Sequence, residues 1–191
     1  MTITLKFSLL TFMTGLLLPM AELHAGTASQ DVKFLATFYG GGCDISVPPN
    51  FKFNNGDPVM RDSVAAGNES LEIPLTISKC DGYFMKPKIM VSGTSSSMQG
   101  TQLFADASSS AKGYGILLST AGNSGWSENT NLAESGVVDA KNWPSGGTNS
   151  VIGLNGNLTF NAKLSCGACA SNANLNGGIL TSTVTFTFAY N

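Results

Sequence analysis

The stretch Val184-Thr-Phe-Thr-Phe-Ala-Tyr190 constrains this chain more than any other. Val184, Phe186, Phe188 and Tyr190 alternate with Thr185, Thr187 and Ala189. Period two gathers the large residues on one face of a strand, whereas a helix would scatter them around its axis. A strand so apolar on one side is poorly suited to being an open sheet edge. It stands at the C-terminal end of the sequence, so what pairs with it governs the fold.

The rest of the chain supports a mainly β reading. Gly, Ser, Thr and Asn are mixed with Val, Ile and Phe, a composition of strands and turns, and no stretch offers a long 3.6-residue apolar period. Alternation runs through Val32, Phe34, Ala36 and Phe38 and stops at Gly40-Gly41-Gly42, a hinge signal. Further strands are expected at 44–47, 51–53, 71–79, 88–92, 114–119, 151–154 and 158–165. Turn clusters such as Asn54-Asn55-Gly56-Asp57-Pro58 and Asp81-Gly82 separate them, and a long polar loop, 121–149, carries Trp126 and Trp143. Short strands with turns between them suggest one antiparallel sandwich. With 12% charged residues and a single arginine, Arg61, the chain lacks the basic face that nucleic acid needs.

The N-terminus reads as an export signal. Lys6 precedes the apolar run Phe7–Met20, which is followed by Ala21-Glu-Leu-His-Ala25. The run is too short for a transmembrane helix and is interrupted by Pro19. Cleavage is expected after Ala25, with Ala28 as the alternative, and the mature chain is expected to have no membrane insertion. The only histidine, His24, leaves with the signal. Without an imidazole, Ser-His-Asp and Cys-His catalysis and the commonest metal ligand are excluded from the mature chain.

Four cysteines in an oxidising compartment make disulfides the default, and four allow three pairings. The closeness of Cys166 and Cys169 favours pairing them together, which leaves Cys43 with Cys80. Closing that longer loop contributes roughly 4 kcal/mol in the chain-entropy model. A redox role for Cys166-Gly-Ala-Cys169 would call for a helix start in a βαβ unit; here the motif follows a strand-like run, so a loop staple is the better reading.

Taken together, these residues resemble the subunits of chaperone–usher fimbriae (pilins) over essentially the whole mature length. The matching features are an alternating extension before the first cysteine, Asp31-Val-Lys-Phe-Leu-Ala-Thr-Phe-Tyr-Gly-Gly-Gly-Cys43; a strand closed by the second, LEIPLTISKC ending at Cys80; and Ala111-Lys-Gly-Tyr-Gly-Ile-Leu-Leu118. Leu158-Thr-Phe-Asn-Ala-Lys-Leu164 resembles the penultimate strand. The most specific match is the C-terminal signature: penultimate Tyr190, alternating Phe188, Phe186 and Val184, and Gly178 fourteen places from the end. The chain departs from the pattern at Ala36, where the family usually has glycine, at the apolar Leu35 and Tyr39, and in its extra cysteine pair.

The resemblance implies an incomplete immunoglobulin-like β-sandwich lacking its last strand, spanning 43–191, with 26–42 as an N-terminal donor-strand extension and glycine hinge. It implies a groove strand formed by Gly178, Val184, Phe186, Phe188 and Tyr190, and a donor strand presenting Val32, Phe34, Ala36 and Phe38. The implied partners are a periplasmic chaperone, an outer-membrane usher and neighbouring fimbrial subunits, with no nucleic acid and no cofactor. The implied role is non-enzymatic: a subunit of a cell-surface fimbrium, exported through the periplasm and supporting adhesion. The extra cysteines and the long loop tilt the reading toward a minor subunit of a type 1-like fimbria.

Other motifs carry less. Ser109-Ser-Ala-Lys112 has the spacing of a serine acylase but lies in a Ser-rich loop without companion motifs. Gly113-Tyr-Gly115 precedes no helix, so it is no phosphate loop. The competing reading is a free carbohydrate-binding sandwich that stacks sugar on Trp126 and Trp143, against which packing of the long loop is favoured.

Overall fold

The computed structural model describes residues 33, 35, 41–82, 86–143, 150–170 and 174–190. The chain divides into two compact units, Met1–Thr37 and Phe38–Asn191. Lys33 and Leu35, both exposed, are what is described of the first. The apolar run 7–20 lies outside the described residues.

The second unit is built from β1 (Gly42–Ser46), β2 (Ser70–Asp81), β3 (Pro87–Gly93), β4 (Ser95–Met98), β5 (Thr101–Phe104), β6 (Gly115–Ser119), β7 (Val137–Asp139), β8 (Gly156–Ser165) and β9 (Val184–Tyr190). Two short helices, α1 (Arg61–Ala66) and α2 (Leu132–Ser135), sit between strands. The strands form a six-stranded sheet in the order β1-β2-β8-β6-β5-β4 and a three-stranded sheet in the order β7-β3-β9, with neighbours antiparallel. One core joins them: Leu75 and Ile77 of β2, Leu158 and Phe160 of β8, and Ile89 and Val91 of β3 are all buried in it. The chain is thus a mainly β, two-sheet antiparallel sandwich.

Alternation explains the long strands. In β2, Leu71, Ile73, Leu75 and Ile77 turn inward while Glu72, Pro74 and Thr76 are exposed. That parity would point Cys80 away from the core. Lys79 adopts a left-handed φ of 51°, and the β1–β2 register advances three residues on β2, from Ser78 to Asp81, for two on β1, from Asp44 to Gly42. This β-bulge turns Cys80 inward, where it is bonded to Cys43. Lys79 then pairs with Asp44 across the strands at 2.9 Å, an exposed contact that raises the lysine pKa by hydrogen bonding and charge attraction.

The second disulfide, Cys166–Cys169, closes the turn after β8. Gln99, at the tip of the β4–β5 hairpin, holds both ends of that turn: its Nε2 donates to the Cys166 carbonyl at 2.9 Å, and its Oε1 accepts from Ala170 N at 2.9 Å.

The structure differs from sequence expectation in several places. The strand expected at 151–154 is one 3₁₀ turn, with Val151 and Leu154 buried and Ile152 and Gly153 exposed, a three-residue period rather than an alternation. The Ser150 hydroxyl caps it by accepting from Ile152 N. The strand expected at 51–53 gives way to a 3₁₀ turn over Phe53–Gly56, because Asn54 and Asn55 take left-handed conformations. The hairpin β4–β5 went unread because Ser95–Met98 has no apolar alternation; its tip, Gln99-Gly100, has positive φ at both residues, as a tight hairpin turn requires. The glycine run is no simple hinge: Gly42 opens β1 opposite Asp81, and a side chain on Gly41 would collide with the backbone of Asp81 and Gly82.

The Cys43–Cys80 bridge spans 37 residues, so replacing both cysteines by serine should cost about 4 kcal/mol of stability, read as a lower urea midpoint than that of the oxidised chain. A midpoint unchanged by the double substitution would show that the bulge and its strands hold without the bond.

Candidate functional site

β9 occupies an edge of the three-stranded sheet, and among the described residues it is laddered on one side only, to β3, from Tyr190 opposite Pro87 to Val184 opposite Gly93. β1 is likewise an edge of the larger sheet and packs close to β9. Among the described residues no ladder joins these two edges. The sandwich therefore has a seam with backbone donors and acceptors along it.

The seam is apolar. Val184, Phe186, Phe188 and Tyr190 are half-buried and pack against the core, as do Cys43, Ile45 and Val47 across the gap, while Thr185 and Thr187 are exposed. Phe186 lies on Phe160 of β8 with ring centroids 4.9 Å apart. Phe188 meets the edge of Trp126 at 6.3 Å and that of Tyr190 at 5.4 Å. The Tyr190 hydroxyl is buried beside Gly42, where a Cβ would lie 3.9 Å from it, and has no hydrogen-bond partner among the described residues. Burial pushes its phenol above the ordinary value of 10.0.

Gly178 lies ahead of β9, not within it. From there to Thr183 the chain is held by backbone amides and side-chain oxygens of the loop after β5; Asp106 N donates to the Thr181 carbonyl at 2.9 Å and Ser110 N to that of Ile179 at 2.9 Å. Thr183 donates from N and Oγ1 to Asp106 Oδ1 and Oδ2, each at 2.9 Å. Thr181 N donates to Ser109 Oγ at 3.0 Å, and that hydroxyl donates back to the Thr181 carbonyl at 2.9 Å. Ile179 N donates to Ser110 Oγ at 2.9 Å. So close is the approach that a Cβ on Gly178 would stand 2.6 Å from Ala111 N. This clamp was not foreseen; the Asp and Ser cluster of 106–110 was its only sequence trace. It also accounts for the acylase-like spacing, since Ser109 Oγ is engaged by Thr181 and Lys112 Nζ donates to the Ser109 carbonyl at 3.1 Å, not to its hydroxyl.

Trp126 is 2% exposed and Trp143 packs against the core, so Trp126 offers no face for stacking sugar. The expected donor residues Val32, Phe34, Ala36 and Phe38 lie outside the described residues.

No family model and no curated protein matches the chain. Solved structures similar to it include the P pilus rod subunit PapA, at 17% identity and a TM-score of 0.46, covering 84% of this chain and 100% of that one. Another is from a chaperone–usher pilus studied for rod uncoiling, at 16% identity and a TM-score of 0.42, covering 87% and 98%.

Gly178→Val should push the 178–183 segment off its loop, and amide exchange at Thr181 and Thr183 should accelerate while β2 and β8 stay protected. Unchanged exchange at those two amides would show that the approach is not needed for the clamp. Because Tyr190 keeps its proton in the fold at a pH where the unfolded chain has lost it, stability should fall as pH rises past about 10. Tyr190→Phe should decline less steeply, compared by urea midpoints at about pH 9 and pH 11.

Proposed function

We propose that this chain is a non-enzymatic structural subunit of a chaperone–usher fimbria, polymerised by donor-strand exchange. The observation that carries this reading is the β9 edge: a strand whose second hydrogen-bonding side is unladdered among the described residues, with an apolar row of Val184, Phe186, Phe188 and Tyr190 beside the seam with β1. One added strand satisfies both needs, because its backbone extends the ladder and its alternate side chains enter the apolar row.

In this reading a periplasmic chaperone fills the seam first, an outer-membrane usher directs assembly, and the extension of a neighbouring subunit then takes the chaperone's place. The donor face is Val32, Phe34, Ala36 and Phe38. Burying Val32, Phe34 and Phe38 contributes about 1.5–3 kcal/mol each, offset in part by ordering the extension. The resemblance of the sequence motifs and the ladder geometry support the same destination, a surface fimbrium that serves adhesion. The Cys166–Cys169 turn favours a minor subunit of a type 1-like fimbria; the 121–149 span, expected as a long loop, instead carries α2 and β7 of the three-stranded sheet and lends no weight to that assignment.

Phe186→Asp places a charge against Phe160, where an unpaired buried charge costs several kcal/mol. The variant should fail to accumulate with its chaperone in the periplasm; normal co-purification would reject the groove assignment. Deleting 31–39 should spare chaperone binding yet abolish incorporation onto the preceding subunit, and Phe34→Asp should act similarly. Fibres that incorporate either variant at wild-type levels would refute the donor role.

A further inference from the structure

The larger sheet has β1, which borders the seam, at one edge and β4 at the other. At the β4 edge a cleft of about 550 Å³ opens between the β4–β5 hairpin, the chain from Ala105 to Tyr114, and Asn174-Leu175. That volume is in the range of small-molecule sites. The walls are fixed to one another. Gln99 ties the hairpin tip to the Cys166–Cys169 turn, which lies so close that a Cβ on Gly167 would stand 1.9 Å from the Met98 carbonyl oxygen. Lys112 and Asn176 exchange backbone hydrogen bonds at 3.0 and 3.1 Å. Leu175 covers Gly113, where a Cβ would meet its Cδ2 at 2.5 Å. The cleft is therefore formed before any ligand arrives, which lowers the ordering cost of binding.

Its lining is polar and balanced in charge. Ser96, Ser97 and Asn174 are exposed, Tyr114 is half-buried, and none of these side chains has a hydrogen-bond partner among the described residues. Two charged residues line the cleft, Asp106 and Lys112. Both carboxylate oxygens of Asp106 accept from Thr183. The Lys112 ammonium donates to the Ser109 carbonyl at 3.1 Å, and its remaining N–H groups are uncommitted among the described residues. An anion entering here meets Asp106 and a cation meets Lys112, so the charge pattern selects a neutral ligand. Of the exposed lining residues, Ala107 alone has an apolar side chain, so a lipid or an apolar peptide anchor finds little to bury against.

We propose that this cleft binds a short neutral saccharide. Sugar hydroxyls both donate and accept, which suits Ser96, Ser97, Asn174 and the free N–H groups of Lys112. The C–H face of a sugar ring packs on an aromatic side chain, and Tyr114 supplies an apolar body with a polar tip. The site is independent of the donor-strand reading, because the seam lies at the β1 edge and the cleft at the β4 edge.

The test is saturation-transfer NMR on the mature chain as isolated from the periplasm. Methyl α-mannoside, methyl β-galactoside and N-acetylglucosamine are the neutral probes; glucuronate and glucosamine, in mildly acidic buffer, are the charged ones. At least one neutral sugar should receive saturation, and more than either charged sugar does. Ser97→Ala and Asn174→Ala, both at exposed positions, should each weaken that binding about two- to tenfold, the loss of one hydrogen bond. Tyr114→Leu keeps the bulk, removes the ring and should weaken it about tenfold. Absence of saturation in all the neutral sugars would overturn the proposal, as would tighter binding of either charged sugar. So would a neutral sugar bound equally by wild type, Ser97→Ala and Asn174→Ala. None of these results bears on the donor-strand reading, which Phe186→Asp and the 31–39 deletion test separately.

Discussion

The side of β9 that is unladdered among the described residues is the constraint on which the rest of the structure turns. A strand with Val184, Phe186 and Phe188 on one face gains by burial, yet its backbone amides must find partners in protein or water. β3 satisfies one side of it, and the core beneath, through Phe160 and Trp126, half-covers the apolar row. What is left is a seam that one additional strand would close. The sandwich is built to present this gap, since both edges that border it, β1 and β9, are anchored by other means.

Those anchors differ in kind. β1 is held covalently, by Cys43–Cys80, and the bulge at Lys79 exists because a period-two strand would otherwise aim Cys80 the wrong way. β9 is held at its start by hydrogen bonds between 179–183 and 106–111, in which backbone amides donate to the Ile179 and Thr181 carbonyls and the side-chain oxygens of Asp106, Ser109 and Ser110 accept in return. Gly178 permits this by its lack of a side chain. An open seam between firmly held edges can accept a strand without rearranging, which lowers the ordering cost of strand addition to that of the donor itself.

How much of this was legible in the sequence depended on the range of the interaction. The alternation in β2, β8 and β9 is local and strong, so these strands and their inward faces could be read directly, and the cysteine spacing favoured the pairing seen. The 3₁₀ turn at Val151–Leu154 was misread because four apolar-rich residues carry too little pattern to tell a period of three from a period of two. β4 was unreadable for the opposite reason: Ser-Ser-Ser-Met has no apolar face, and it is a strand because β5 lies beside it.

By itself the sequence determined the strand periodicity, the apolar face of β9, the small residue at position 178 and the cysteine neighbours, because each follows from short-range sterics or from the burial preference of one side chain. Only the tertiary structure decided that β9 and β1 are facing edges, that Asp106 reaches Thr183 across 77 residues, and that the hydroxyls of Ser182 and Tyr190 are buried without hydrogen-bond partners among the described residues. Those outcomes depend on which distant strands are neighbours. A pattern of period two fixes a strand's faces but says nothing about what lies along its edges.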